Sequence, residues 1–248
     1  MVLLCAACTP AQPATAPGAA SAGAPSDASP PMAGGEPHPE HGEHGHRHGE
    51  HGHGYHKDFS DAAAFSAHFD DPARDAWQRP GEVIEHLRIP TGSTVADLGA
   101  GTGYFMAALS RSVGPSGKVL ALDVEPKMVE FLARRAREQQ LANVEPKLVQ
   151  PDDPGLPPHA LSRILIVNTW HHIDDRAAYA HRLAGALAPG GEIWIVDFTP
   201  DSDLGPPPEH RLEARQVVAE LEAGGLDAVV VEPEALPEQY LVRARARP

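Results

Sequence analysis

The sequence predicts a doubly wound α/β body, a mostly parallel seven-stranded sheet that ends in an antiparallel β-hairpin and follows a disordered N-terminal tail. Three observations carry this. From residue 80 onward, strand-length apolar runs alternate with helix-length segments, as parallel βαβ units with right-handed crossovers require. The last two apolar runs, 227–232 and 239–245, have little more than Pro233-Glu-Ala-Leu-Pro237 between them, too little for a parallel crossover, so they pair antiparallel. The chain before residue 58 has no apolar periodicity and is rich in Ala, Pro, Gly, Ser and His. It cannot bury enough surface to offset the entropy of ordering it.

The tail divides into three parts. Residues 1–8 form an apolar run with two small residues before Cys8, and both cysteines of the chain, Cys5 and Cys8, lie there. The run resembles the end of a bacterial lipoprotein signal, which implies a lipid on Cys8 and a membrane-anchored protein; without that processing the chain is cytoplasmic. Two features depart from the pattern: Cys5 stands where an aliphatic residue is usual, and no basic stretch precedes the run. Residues 9–37 read as a flexible linker. Residues 38–57 hold eight of the 15 His, namely His38, His41, His44, His46, His48, His51, His53 and His56, spaced by Gly and Glu. Imidazoles this close on a flexible chain can wrap Zn, Ni or Cu, weakly at each site and with little selectivity. The plain alternative is a solvated, pH-sensitive spacer.

Residues 58–248 are long enough for one domain with one core. Short helices are expected at 61–69 and 71–77. Pro80, favoured at a first helical position, opens a segment with Val83, Ile84 and Leu87 on one face. Strands are expected at 94–98, 118–122, 144–149, 163–167 and 192–196, with helices at 104–113, 126–140, 175–187 and 212–223. The continuous apolar strands fit burial on both sheet faces. Charge narrows the partners. Lys and Arg number 20 against 34 Asp and Glu, a net −14, and no basic patch offsets it, so a nucleic-acid backbone is not an expected ligand.

The chemistry concentrates where the first strand ends, in Asp97-Leu-Gly99-Ala100-Gly101-Thr-Gly103-Tyr104. A glycine turn between strand and helix lets backbone approach a ligand and aims helix N–H groups at it. The dinucleotide spacing G-x-G-x-x-G/A puts Tyr104 where a small residue must let helix pack on strand, and a phenol ring does not fit. The observed frame is G-x-G-x-G after an acid. Val95-Ala-Asp-Leu-Gly-Ala-Gly-Thr-Gly-Tyr-Phe105 resembles the first motif of class I S-adenosylmethionine-dependent methyltransferases, in the group of type 11 and ubiquinone-type enzymes. The likeness runs from about Pro80 to Arg245 and implies a Rossmann-like sheet. Asp123, at the end of the second strand and followed by Val124, then stands where a ribose sits and can accept from both hydroxyls. Gln150-Pro-Asp152-Asp153-Pro-Gly-Leu156 matches the motif that binds the adenine amino group, with Asp152 preferred and Asp153 as competitor. Val167-Asn168-Thr-Trp-His171-His172 matches the segment beside the transferring methyl, and Pro189-Gly190-Gly191 the turn before the fifth strand.

The resemblance implies S-adenosylmethionine as cofactor and an in-line methyl transfer to a small-molecule acceptor. A neutral His171 or His172 is the candidate base for acceptors that must lose a proton, with loop support as the alternative role. Asn168, Trp170, Asp197 and the His210-Arg211 pair follow strand ends, where they can line an acceptor pocket or pack loops. Lid-like helices are expected at 58–80, with Trp77 touching ligand or packing the lid. The competing reading is a membrane-tethered, metal-handling or ligand-binding lipoprotein whose methyltransferase-like body is inactive. The intact glycines and Asp123 favour activity. The sequence leaves the acceptor and the oligomeric state open.

Overall fold

The computed structural model describes residues 70–231 and 236–247. The expectations for Cys8, the 9–37 linker, the His tract and a helix at 61–69 lie outside the described residues. Within them the chain runs α1 (Arg74–Gln78), α2 (Pro80–Leu87), β1 (Thr94–Leu98), α3 (Met106–Val113), β2 (Lys118–Asp123), α4 (Pro126–Glu138), β3 (Val144–Leu148), β4 (Leu161–Val167), α5 (Arg176–Ala186), β5 (Leu187–Phe198), α6 (Ala214–Ala223), β6 (Leu226–Val231) and β7 (Gln239–Ala246). Short 3₁₀ turns at Trp170–His172 and Pro208–His210 follow β4 and β5.

The sheet order is β3-β2-β1-β4-β5-β7-β6, with β1 to β5 parallel and β7 antiparallel to both β5 and β6. The expected terminal hairpin is present, and β7 enters the sheet between β5 and β6. From β1 the chain winds outward through β2 and β3, then returns to β4 on the other side. That reversal opens a crevice at the carboxyl ends of β1 and β4, where open α/β sheets bind ligands.

Alternation along the strands separates two cores. Ala96, Leu98, Ile164, Ile166, Ile193 and Ile195 face α5 and α6. Val95, Val119, Leu165, Trp194 and Val196 face α2 and α3. Asp97 and Asp123 continue the second face at the carboxyl edge, while Asp197 continues the first. At the amino edge Glu192, buried on β5, accepts from Trp194 Nε1 at 3.0 Å and pairs with Arg245 and, at 3.3 Å, with Arg163.

Several element bounds differ from expectation, three of them for a reason that the structure shows. The first described helix starts at Arg74 rather than 71, because Asp71 Oδ1 accepts from the Ala73 N–H (2.8 Å) and ends the preceding turn. The last helix starts at Ala214 rather than 212, after an extended Glu213. Pro189-Gly190-Gly191 is no separate turn before the fifth strand. Strand β5 begins at Leu187, paired with Leu161, and the register with β4 slips before Glu192 pairs Arg163. A side chain on Gly191 would stand 2.5 Å from the Leu161 carbonyl oxygen, so this irregularity needs glycine there.

Candidate cofactor and acceptor site

Strand β1 delivers the chain into the crevice at Leu98, and Gly99 and Ala100 N–H both donate to the Leu122 carbonyl at 2.9 Å. This folds the turn over the end of β2 and presents the next amide to Asp123. Gly101 N–H donates to Asp123 Oδ2 (2.9 Å) and Glu125 N–H to Oδ1 (2.9 Å). Gly99, Gly101 and Gly103 all have positive φ. The close approach at Gly99 is to protein as well: a Cβ there would lie 2.3 Å from Thr169 Oγ1, so the turn packs directly on the segment after β4.

Both carboxylates of this face are buried, Asp97 at 3% and Asp123 at 8% exposure. Burial raises the Asp97 carboxyl to about 7, against the pull of Arg74 and with a push from Asp123. Burial also raises Asp123, although the amides of Glu125, Gly101 and Val124 oppose it. Each ionised carboxylate is thus held with less compensation than water would supply. Beside Asp123, Val124 is 52% exposed, an aliphatic surface at the crevice rim.

The expected adenine-side pair separates. Asp153 Oδ1 accepts from Gly155 N–H (2.8 Å), and its backbone bridges Gln150. Asp153 is a turn residue, and the exposed Asp152 is the one whose carboxylate the loop does not consume.

After β4, Asn168 adopts positive φ. Its side chain closes a ring of three carboxamides. Gln78 Nε2 donates to Gln239 Oε1 (2.5 Å), Gln239 Nε2 to Asn168 Oδ1 (2.5 Å), and Asn168 Nδ2 to Gln78 Oε1 (3.4 Å). Both glutamines are fully buried. The ring ties helix α1 to β4 and β7, which pattern reading missed because Gln78 and Gln239 lie 161 residues apart.

Across the sheet edge, His171 Nδ1 lies 2.9 Å from both oxygens of Asp197, which also accepts from Phe198 N–H (2.9 Å). A carboxylate accepts only, so Nδ1 carries the hydrogen and Nε2 is the basic nitrogen. His171 is 5% exposed, and the half-buried His172 ring lies 4.2 Å from it, centroid to centroid. Trp170 Nε1 donates to Glu220 Oε2 (2.9 Å) and packs in the core rather than lining a crevice. Arg211 is committed to its own loop through the carbonyls of Pro200, Ser202 and Pro206.

Residues 70–78, part of the segment expected as a lid, are latched at several points. Asp70 takes Arg135 Nη1 at 2.8 Å on each oxygen and Thr102 Oγ1 at 3.0 Å. Tyr104 hydroxyl donates to Asp75, and the Trp77 ring lies 5.6 Å from that of Phe198. Trp77 therefore packs helix α1 onto the end of β5. The Arg74 guanidinium sits 3.9 Å from the Tyr104 ring centroid, over the glycine turn. Arg74 was not legible as a site residue: nothing in its spacing distinguishes it from Arg79.

An S-adenosyl group fits these residues: a carboxylate pinned by backbone amides at a strand end, an aliphatic rim beside it and a carboxylate beneath the turn. Among the described residues no cluster of three or more His, Cys, Asp or Glu could hold a metal ion, and no helix is long and apolar enough to cross a membrane.

Comparison with known proteins agrees with this geometry. Residues 95–191 match the family model of a methyltransferase domain. The chain is 32% identical over 127 residues to a protein-L-isoaspartate O-methyltransferase of Aeropyrum pernix, 50% of this chain and 46% of that protein. It is 28% identical over 126 residues to a demethylmenaquinone methyltransferase of Lactobacillus johnsonii, 50% of each. The chain spans about half the length of the curated relatives it matches. A solved SAM-dependent methyltransferase from Aquifex aeolicus aligns at TM-score 0.69 and 29% identity, over 76% of this chain and 98% of that one.

Proposed function

From a body that carries a methyltransferase domain on the class I methyltransferase fold, we propose an S-adenosylmethionine-dependent methyltransferase acting on a small molecule whose reacting atom bears a removable proton. The observation that carries the proposal is Asp123, buried at the end of β2 and held by Gly101 N–H across the glycine turn. When bound, the cofactor supplies a methyl group on a sulfonium, already an excellent leaving group.

The chain's own task is then positioning and exclusion of water. Asp123 accepts from the ribose hydroxyls, Val124 covers a face of the purine, and Asp152 accepts from its amino group. Asp97 offers a carboxylate to the cationic end of the cofactor. Asn168 and the carboxamide ring hold the segment after β4, and the lid segment closes the crevice through Trp77 and Gln78. His171, kept by Asp197 in the tautomer with a basic Nε2, takes the acceptor's proton, and His172 shields it. The relatives named for isoaspartate O-methyl transfer and for demethylmenaquinone support an acceptor with an acidic oxygen or carbon.

Calorimetry of the full chain with S-adenosylhomocysteine tests the proposal. Micromolar binding is expected, weakened in Asp123→Ala by ~10–100-fold through lost hydrogen bonds to a charged group. A wild-type chain that shows no binding overturns it.

The proposal extends to the tail, where Cys8 carries a lipid and the eight His bind Zn, Ni or Cu. Membrane fractionation that survives Cys8→Ser removes the first, and metal uptake that survives deletion of 38–56 removes the second.

A further inference from the structure

We propose that Glu220 is a positioning residue for His171: from helix α6 its one carboxylate grips both ends of the turn that carries the histidine, and so fixes where the basic Nε2 points. The inference rests on the reading of His171 as the base that takes the acceptor's proton, and adds the group that holds it in place.

The turn cannot hold its own shape. After β4, residues 170–172 make a single 3₁₀ turn, closed by His172 N–H to the Thr169 carbonyl (2.9 Å) and by Ile173 N–H to that of Trp170 (3.2 Å). One such turn makes few bonds for the dihedrals it fixes, so side chains must anchor it. Residues three apart eclipse in a 3₁₀ turn, and Trp170 and Ile173 both sit in the core. His171 and His172 lie between these two anchors in the chain. Asp197 alone does not orient His171. Nδ1 stands equally far from both carboxylate oxygens, which fixes the tautomer but lets the ring swing about that contact. The direction of Nε2 then depends on the backbone that carries the ring.

Glu220 restrains that backbone. Its Oε2 accepts from Trp170 Nε1 (2.9 Å), and the indole N–H of a fully buried Trp needs an acceptor. Its Oε1 lies 2.9 Å from Arg176 Nε, while Arg176 Nη1 donates to the Ile173 carbonyl (2.9 Å). One carboxylate thus ties the residue before His171 to the first residue of α5, and the guanidinium reaches back into the turn. The two side chains of the ion pair are 12% and 18% exposed, so solvent screens it less than a surface pair. One helical turn earlier, Gln216 Nε2 donates to Oε1 (3.1 Å) and steadies the carboxylate itself. A general base must stand within hydrogen-bond reach of the proton it takes, and a misplacement of about 1 Å can cost ~100-fold in rate.

Glu220→Ala and Glu220→Gln in the full chain test this with three measurements. S-Adenosylhomocysteine affinity by calorimetry should stay within about twofold in both, which also shows that the variants are folded. The Nδ1 proton of His171, assigned in NMR spectra by its loss in His171→Gln, should exchange with water at least ~10-fold faster in Glu220→Ala. Glu220→Gln keeps an acceptor for Trp170 and should recover part of the difference. With an identified acceptor, kcat should fall ~10–100-fold in Glu220→Ala while the acceptor KM stays within about twofold. In a variant that still melts cooperatively, a matching loss of cofactor affinity would mean that Glu220 shapes the cofactor pocket instead. A lower Tm with unchanged proton exchange and kcat would mean that it only packs α6 onto the turn. Either result overturns the proposal. Should Glu220→Ala not fold, Arg176→Gln, which loosens only the far end of the turn, is read by the same criteria. Full activity in His171→Gln, or a wild type that does not bind S-adenosylhomocysteine, overturns the function proposed above together with this inference. An impaired His171→Gln beside an unaffected Glu220→Ala overturns this inference alone.

Discussion

Replacing Asp97 with Asn separates two properties that one buried carboxylate joins. Burial raises this carboxyl from 3.8 to about 7. Between those values the folded chain keeps a proton that the unfolded chain has released. Stability therefore falls as pH climbs from about 4 to about 7 and stays at its lower level above that. At ~1.36 kcal/mol per pH unit the rise corresponds to about 4 kcal/mol as a ceiling. Asn has no charge to bury but leaves Arg74 with one carboxylate fewer, so a net gain of about 1–3 kcal/mol is expected at pH 8. For a body of this size that is a rise of about 3–10 °C in Tm.

Cofactor affinity should move the other way. On the proposed function, the ionised form of Asp97 is the one that pairs with the cofactor's ammonium. With a free value of about 7, roughly one chain in ten is ionised at pH 6 and nine in ten at pH 8. S-Adenosylhomocysteine should thus bind the wild type about 10-fold more tightly at pH 8 than at pH 6. Asp97→Asn should bind more weakly at pH 8 and lose most of that slope. The assays are thermal melts and calorimetry on both proteins between pH 5 and 8. An Asn variant no more stable than the wild type at pH 8, or a stability difference independent of pH, would refute the reasoning.

Two further perturbations test the rest of the site. His171→Gln should leave S-adenosylhomocysteine affinity within twofold and lower methyl transfer to an identified acceptor by ~100-fold or more; an equal loss of cofactor binding would show that His171 supports the loop instead. Gly99→Ala should cost about 2–4 kcal/mol, read from melts, because a Cβ at positive φ would stand 2.3 Å from Thr169 Oγ1; an unaffected Tm would mean that the turn and the segment after β4 are not in contact.

What the sequence disclosed and what it hid follow from the range of the interactions. Strand and helix periods are local, and so is the shortness of the link between the last two strands, which made the antiparallel end legible. Asp123 was legible because strand β2 must end near the glycine turn once β1 and β2 are neighbours. The family resemblance placed a turn at 189–191, where β5 instead runs through an irregular register with β4, because only pairing with Leu161 shows that the strand has already begun. It preferred Asp152 but kept Asp153 as competitor, since only the fold shows which carboxylate caps Gly155. Arg74 and the Gln78–Asn168–Gln239 ring stayed hidden: their meaning lies in contacts between the lid, the segment after β4 and the last strand, which no spacing records.

The distribution of buried charge separates support from function within this one sheet. Glu192 at the amino edge is as deeply buried as the carboxylates of the crevice. Burial alone would raise its carboxyl, but hydrogen bonds from Arg245 and Trp194 and the charge of Arg163 hold it below the usual range. Asp97 and Asp123 at the carboxyl edge are raised by the same burial, and the groups around them do not reverse it. A fold with no use for those charges would lose nothing by replacing them, as apolar substitutes for buried ionic groups are often neutral or stabilising. Glu192 has partners supplied by the chain and needs no other. Asp97 and Asp123 lack equal compensation at the opening where the sheet reverses direction. On the proposed function, the missing partners are an ammonium and a pair of hydroxyls, which the amino-acid and ribose parts of one cofactor bring together.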